Sequence, residues 1–121
     1  MQTISYQVLL CNDKIGWRNE TTHIVVMITN AGQHIAGDGL EAGIWRQYPH
    51  ECKLDSLNRY DGIQYDYPSL SEVNYWLQRT ETTLIVGTID YYLSLYQKMI
   101  DEHVLVRAVV GNMDDGIIHK I

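Results

Sequence analysis

The sequence predicts an α/β fold organised around a parallel β-sheet. Three short segments rich in apolar and β-branched residues predict strands, at His23–Thr29, Thr82–Ile89 and Val104–Val110. Helical patterns separate these segments, and the alternation of strand and helix is typical of parallel strands joined by right-handed crossovers. With 121 residues, of which 45% are hydrophobic, the chain accounts for at most one modest domain.

The first element is predicted to be a helix that ends near Asp13, because apolar and small residues recur at helical spacing from Met1 to Leu9. Gly16 follows as a helix terminator. The strand His23–Thr29 is apolar almost throughout, which is typical of a strand buried on both faces. An open apolar edge invites aggregation, so this strand needs neighbours on both sides, and we expect the domain to continue beyond both ends of the chain.

The segment from Asn30 to Tyr67 contains five glycines and Pro49, and it is predicted to be mostly irregular. Irregular segments of this length usually serve a function or are held by a crosslink. The segment opens with "NAGQHIAGDG", whose polar side chains directly follow the first predicted strand. The sequence therefore places its candidate functional loop at the carboxyl end of that strand.

The second half of the chain predicts two helices and the beginning of a third. Pro68 precedes a helix whose Ser69 and Glu72 have the spacing of a capping box. Its apolar face contains Leu70, Val73, Trp76 and Leu77. A second helix is predicted over Asp90–Ile100 with Asp90 as its cap, and "NMDDGIIHKI" begins the last one. Trp45 and Trp76 are expected in or beside the core.

Composition and short motifs narrow the class of protein. The net charge of −6 argues against nucleic acid or an anionic membrane as the main partner, and no apolar stretch approaches the roughly 18 residues of a membrane span. Asn19, Glu20 and Thr21 form an N-glycosylation acceptor, and Cys11 and Cys52 could pair or stay reduced. With no signal peptide at Met1, these features indicate a piece of a longer secreted protein.

A metal-assisted hydrolase is an alternative of a different class. It would use His34, Asp38, Asp114 and Asp115, and it would require these side chains to converge in one pocket. The chain has no H-E-x-x-H, G-x-S-x-G or phosphate-loop motif to support that alternative. Asp114 and Asp115 suit the first turn of a helix, where the helix dipole favours acidic residues, better than they suit a set of metal ligands.

Three motifs in order, "IGWRN", "HIAGDG" and "DYPS", resemble the integrin β-subunit I-like domain, a von Willebrand factor type A fold. The resemblance covers essentially the whole chain. It implies a doubly wound, mostly parallel, Rossmann-like sheet with helices on both faces. Residues 1–121 would then form a partial I-like domain that supplies strands four to six of the family sheet, and the fold is incomplete within this chain.

The resemblance also implies a function. The parent protein would be an integrin β subunit, a cell-surface adhesion receptor and not an enzyme, with a plasma-membrane anchor outside this chain. It would pair with an α subunit, bind matrix or cell-surface protein ligands through Mg²⁺, Ca²⁺ or Mn²⁺, and signal by a change of shape. Most of the cation ligands would lie outside the segment, so we expect the segment alone to hold no cation.

The same resemblance assigns individual residues. Asn30 stands where the family has an acidic cation ligand, and the backbone carbonyl of Asn112 matches a position that reaches an adjacent cation. The loop of Gly37, Asp38, Gly39 and Leu40 would contact the α subunit, with Leu40 in place of a basic residue. Cys11 and Cys52 match the family disulfide. Asn30 and Leu40 also keep open a degenerate paralogue without cation-dependent binding.

Overall fold

The computed structural model describes residues 7–59 and 64–113, and its elements alternate as the sequence predicts. Residues 7–10 are helical. The elements that follow, in chain order, are helix α1 (Asn12–Ile15), strand β1 (His23–Thr29), a 3₁₀ helix (Asp38–Ala42), helix α2 (Leu70–Arg79), strand β2 (Thr82–Thr88), helix α3 (Asp90–Asp101) and strand β3 (Ala108–Asn112). No helix among the described residues is long and apolar enough to cross a membrane.

The three strands form one sheet in the order β1-β2-β3, and both neighbouring pairs are parallel. Val25 lies opposite Leu84, and Leu84 lies opposite Ala108, so the apolar centres of the strands are in register. The prediction of an α/β fold with a parallel sheet is therefore confirmed. All three strands end at the same edge of the sheet, which brings the loops that follow them close together.

The core lies on one face of this sheet. Side chains from alternate strand positions pack there with one residue from each of the two long helices, and the buried set includes Met27, Leu84, Val86, Ala108, Leu77 and Tyr96. The hydroxyl of Tyr96 also donates a hydrogen bond to the carbonyl of Ala31 at 3.1 Å. Helix α3 is thereby tied to the segment that directly follows β1.

The prediction that β1 is buried on both faces is wrong for the described part of the chain. Ile24, Val26 and Ile28 point away from the core, and Val26 and Ile28 are 59% and 60% exposed. The reason is geometric, since alternate residues of a strand point to opposite faces, and α2 and α3 pack on only one of them. Among the strands that the structure describes, β1 is also at the edge of the sheet and pairs with β2 alone.

Helix α2 begins as its sequence predicts. The Ser69 hydroxyl accepts a hydrogen bond from the Glu72 backbone N–H at 3.2 Å, and the Ser69 N–H donates to the Glu72 carboxylate at 3.0 Å. This reciprocal capping box satisfies two N–H groups that the helix start would otherwise leave unpaired. The local signal was sufficient because both partners lie within four residues.

The predicted cap of α3 and the predicted start of β3 differ from the structure. Asp90 is the first residue of α3, and its N-cap is Ile89, with no side-chain cap bond. The Asp90 carboxylate instead accepts a hydrogen bond from the side-chain amide of Asn112, across the sheet edge. Strand β3 begins at Ala108 and not at Val104, because the N–H groups of Val104 and Leu105 donate to the carbonyl of Met99 and close the end of α3.

The helical N-terminal region extends slightly past its predicted end. Helix α1 ends at Ile15, and Gly16 follows it in the left-handed conformation (φ 72°), as expected of a glycine terminator. Met1 to Tyr6, and the last helix predicted after Met113, lie outside the described residues.

A disulfide between Cys11 and Cys52 joins the helical N-terminal region to the long irregular segment. The family resemblance implied this pairing, and the structure contains it. Beside it, the backbone N–H of Lys53 donates to the side-chain oxygen of Gln7 at 3.4 Å. Within the described part of the segment from Asn30 to Tyr67, the only helix is the 3₁₀ turn Asp38–Ala42, so the crosslink anchors a region with few backbone bonds of its own.

Candidate cation site and interface loop

Asn30 and Asn112 both lie at the carboxyl edge of the sheet. Asn30 follows the last residue of β1 and is exposed, whereas Asn112 is the buried last residue of β3. The register places Thr29 opposite Thr88, and Thr88 opposite Asn112, so the three strand ends are adjacent. Asp90, in the first turn of α3, contributes a carboxylate at this edge and binds the Asn112 side chain. The carboxyl edge of the sheet therefore brings these polar groups together.

These groups do not by themselves form a divalent cation site. Mg²⁺ and Ca²⁺ require about six or more oxygen ligands, among which carboxylates supply the charge. The described residues contain no group of three or more histidine, cysteine or acidic side chains able to hold a metal ion. The Thr88 hydroxyl is buried at this edge and has no hydrogen-bond partner within residues 7–59 and 64–113. One orphaned hydroxyl and one carboxylate fall well short of a cation's needs.

The predicted interface loop is a compact turn. Gly37 adopts a positive φ of 105° and precedes the 3₁₀ helix that contains Asp38, Gly39 and Leu40. The Asp38 carboxylate accepts a hydrogen bond from the Ile35 backbone N–H at 2.9 Å. The Leu40 side chain is 65% exposed, while Gly39 is buried. The turn thus presents one apolar side chain to solvent from a well-bonded backbone.

Asp66, which the sequence analysis did not single out, holds this turn in place. One carboxylate oxygen accepts from the Gly37 N–H at 2.7 Å. The other accepts from the N–H groups of Gly39, at 2.9 Å, and of Tyr67, at 2.8 Å. Burial opposes ionisation of Asp66, but these three donors outweigh it and hold the pKa of the carboxyl below its usual value. The only signal in the sequence was an acidic residue between two tyrosines, in "YDYPS".

Gly39 packs so closely against this carboxylate that no side chain fits. A Cβ at this position would lie 2.5 Å from the Asp66 Oδ1 and 2.7 Å from the Ile44 carbonyl oxygen. We therefore expect Gly39→Ala to lower the free energy of unfolding by about 2 kcal/mol, measured by urea denaturation. The control is Glu41→Ala on the exposed side of the same turn, which should change stability by less than about 0.5 kcal/mol. Equal effects of the two variants would contradict the packing argument.

His34 and Asp38 lie close together but on the surface. The His34 Nδ1 is 3.4 Å from the Asp38 Oδ2, with side-chain exposures of 65% and 42%. The His34 ring also stacks on Tyr67, with 4.8 Å between ring centroids. Asp114 and Asp115, the other residues of the hydrolase alternative, lie outside the described residues. The histidine and Asp38 thus form part of the surface of the loop.

Trp45, five residues after Leu40, is an exposed aromatic residue. Its side chain is 76% exposed, so the prediction that it belongs to the core is wrong, whereas Trp76 is half-buried against the core. Trp45 follows a turn and not a periodic helix or strand, so no sequence pattern fixed its direction. Next to it, the Arg46 guanidinium lies 6.0 Å above the Tyr65 ring. The segment after the turn therefore adds one exposed aromatic side chain, Trp45, to the exposed Leu40.

Asn19 lies at the opposite edge of the sheet, in a turn that precedes β1. It is exposed, and the Thr21 hydroxyl donates to the Arg18 carbonyl at 2.8 Å. The acceptor motif is therefore on the surface, where modifying enzymes can reach it.

Comparison with known proteins identifies relatives. A family model described as the integrin beta chain VWA domain matches residues 3–117. The chain is 33% identical over 99 residues to Integrin beta-PS of Drosophila melanogaster, covering 81% of this chain and 12% of that protein. It is 31% identical over 110 residues to Integrin beta-1 of Gallus gallus, covering 91% and 13%. It is 34% identical over 92 residues to Integrin beta-5 of Mus musculus, covering 75% and 12%. The chain thus spans 12% to 13% of the length of these relatives.

Proposed function

Because this chain belongs to the integrin beta chain VWA domain family, we propose that it forms part of the extracellular head of a cell-surface integrin β subunit. Members of this family are adhesion receptors and not enzymes. The observation that carries the proposal is the family match over residues 3–117. The Cys11–Cys52 disulfide supports an extracellular location, because such bonds persist in oxidising compartments. On this proposal the anchor to the plasma membrane belongs to another part of the β subunit.

The proposed partner is an integrin α subunit, and the contact surface is centred on the turn from Gly37 to Leu40. Leu40 is an exposed apolar side chain of that turn, and its burial against a partner would be favourable. Trp45, five residues after Leu40 in the sequence, is a second exposed apolar side chain, and exposed aromatic residues are common interface anchors. Leu40 supplies no charge, so recognition here depends on apolar burial and shape.

We expect Leu40→Asp to weaken pairing with the α subunit by at least about tenfold. The substitution places a charge where an apolar side chain would be buried, and an unpaired buried charge is costly. The measurement is co-precipitation of the full β chain with α chains of the same organism from co-expressing cells. Glu41→Ala, exposed in the same turn, is the control. Normal pairing of Leu40→Asp would contradict the assignment of this surface.

The family is known for binding divalent cations in general. What is specific to this chain is how many of the cation ligands its own residues supply. Asn30 retains an oxygen ligand but lacks the negative charge of a carboxylate. The edge of the sheet holds one described carboxylate, Asp90, which is already bonded to Asn112. We therefore propose that the residues of this chain bind cation weakly and that the remainder of the domain supplies most ligands. A paralogue without cation-dependent binding is the second candidate, and Asn30 is the observation that favours it.

Two measurements separate these candidates. Titration of MgCl₂ into the isolated chain should give no saturable heat by calorimetry, because its described residues lack a set of cation ligands. In the full receptor, Asn30→Asp should strengthen Mg²⁺ binding by at least about tenfold, since it restores a charged ligand. Tight binding by the isolated chain would contradict the first statement. If the full receptor with Asn30→Asp still shows no Mg²⁺ binding, that result would favour the cation-independent paralogue.

A further inference from the structure

A polar groove lies at the amino ends of β1 and β2, opposite the proposed cation edge. Its volume is about 500 Å³, within the range of small-molecule sites. One wall is the loop from Trp17 to His23, and the other is formed by Thr80, Glu81 and Arg107. Asn19 is itself a lining residue of this groove.

The groove combines a flat aromatic pair with charged rims. The rings of Trp17 and His23 stack with 4.5 Å between centroids and 21° between planes, and both side chains remain partly exposed. The His23 Nδ1 lies 3.3 Å from the Thr80 carbonyl, which ties this pair to the opposite wall. Aromatic surface beside polar groups is what a sugar ring requires, because a sugar has an apolar C–H face and a rim of hydroxyls.

Arg107 supplies hydrogen-bond donors on the far wall. Its Nε donates to the Thr82 carbonyl at 3.2 Å, and one terminal nitrogen donates to the Glu81 carbonyl at 3.1 Å. A guanidinium carries five N–H donors, so these two bonds fix its position and use only part of its capacity. Glu81 and Glu20 line the same groove and offer acceptors for hydroxyl groups.

We propose that this groove seats the first sugars of an N-linked glycan carried by Asn19. The inference rests on the proposed extracellular location, because the modification occurs in the secretory pathway. Asn19-Glu20-Thr21 is the acceptor motif, and Asn19 is exposed in a turn where Glu20 has a positive φ of 59°. Trp17 lies two residues before the attachment point, so the first sugar starts beside the aromatic pair.

Covalent attachment decides the occupant. In the transfer, Nδ2 of Asn19 bonds to C1 of N-acetylglucosamine as the C1–O bond to a lipid-linked pyrophosphate donor breaks, and the proton lost from Nδ2 ends on the departing lipid pyrophosphate. A sugar fixed to the wall of a groove has a high effective concentration there, so weak stacking and hydrogen bonds suffice to seat it. The seated glycan orders the loop from Trp17 to His23 and covers its aromatic pair.

The test uses the full β chain co-expressed with its α partner in eukaryotic secretory cells. Hydrogen exchange at the backbone amides of residues 17–23 is compared between the glycosylated chain, the chain trimmed to one N-acetylglucosamine, and Asn19→Gln. We expect exchange to be at least about fivefold slower in both glycosylated forms than in Asn19→Gln. Mass spectrometry of the peptide that contains Asn19 reports whether the site is occupied.

A double-mutant cycle tests whether the slower exchange comes from contacts of the glycan with the groove or only from its attachment to the turn. Arg107→Lys should remove most of the glycan-dependent protection, while making little difference in the Asn19→Gln background. Arg59→Lys, an exposed arginine that does not line the groove, is the matched control and should change neither. Two outcomes would contradict binding of the glycan in the groove and leave the proposed function intact. One is a glycosylated Asn19 without slower exchange at residues 17–23, and the other is slower exchange that Arg107→Lys leaves unchanged. An unmodified Asn19 in a chain that still pairs with α also contradicts that binding, whereas failure of secretion and pairing would count against the proposed function itself.

Discussion

Removing the disulfide by the paired substitution Cys11→Ser and Cys52→Ser is expected to lower the free energy of unfolding by about 4 kcal/mol. The bond joins residues 41 positions apart, and it closes a loop that contains β1 and much of the long irregular segment. Without the disulfide, the unfolded chain can adopt more conformations, and its higher entropy favours unfolding. Urea unfolding of the wild-type chain and the double variant measures the difference.

Reduction provides the control for this prediction. A thiol reductant should destabilise the wild-type chain to about the level of the double variant and leave the variant unchanged. A wild-type chain whose unfolding midpoint is insensitive to the reductant would show that the crosslink does not stabilise this fold. In the native state, the bond from the Lys53 N–H to Gln7 should persist only while the disulfide holds the two segments together.

Replacing Asp66 with asparagine is expected to cost about 3 kcal/mol of unfolding free energy. The carboxylate accepts three backbone hydrogen bonds in a buried position, two of them from the proposed interface turn. Asparagine retains one acceptor oxygen and places an N–H₂ group against a backbone N–H, so at least one bond is lost together with the charge. Asp13→Asn, which removes the same charge from an exposed position on α1, should change stability by less than about 0.5 kcal/mol.

The pH dependence of this effect has a defined sign. The three N–H donors keep the pKa of Asp66 lower in the folded chain than the value of about 3.9 expected when it is unfolded. A lowered folded pKa means that the ionised group stabilises the fold above about pH 3.9, and that this stabilisation is lost as the pH falls through the folded pKa. The difference between wild type and Asp66→Asn should therefore be largest above pH 4 and shrink below it. A difference that grows on acidification would contradict the assignment.

Asp66→Asn should also weaken pairing with the α subunit, because it loosens the turn that carries Leu40. The effect should be smaller than that of Leu40→Asp, since the side chain at the proposed contact is unchanged. Stability and pairing can be separated by assaying co-precipitation well below the unfolding temperature of the variant. Unchanged pairing despite a destabilised turn would show that the α subunit does not depend on this surface.

Elements whose signals are local were predictable from the sequence. The bounds of β1 and β2 follow from short apolar, β-branched segments, and the structure differs from the prediction only by one residue at the end of β2. The start of α2 follows from Ser69 and Glu72, and the end of α1 follows from Gly16. In each case the interacting groups lie within about one helical turn or one strand of each other. The family motifs added the disulfide, which links two segments that no local pattern connects.

The sequence by itself determined the order and type of the elements, because hydrophobic periodicity and capping act between near neighbours. The tertiary structure alone decided which face of β1 is covered, that Asp90 binds Asn112, and that Asp66 holds Gly37 and Gly39. These contacts join residues separated by 22 to 29 positions, so they exist only after the chain has folded and brought their backbones together. A carboxylate in a sequence does not reveal its hydrogen-bond donors, because those donors are fixed by packing between distant segments.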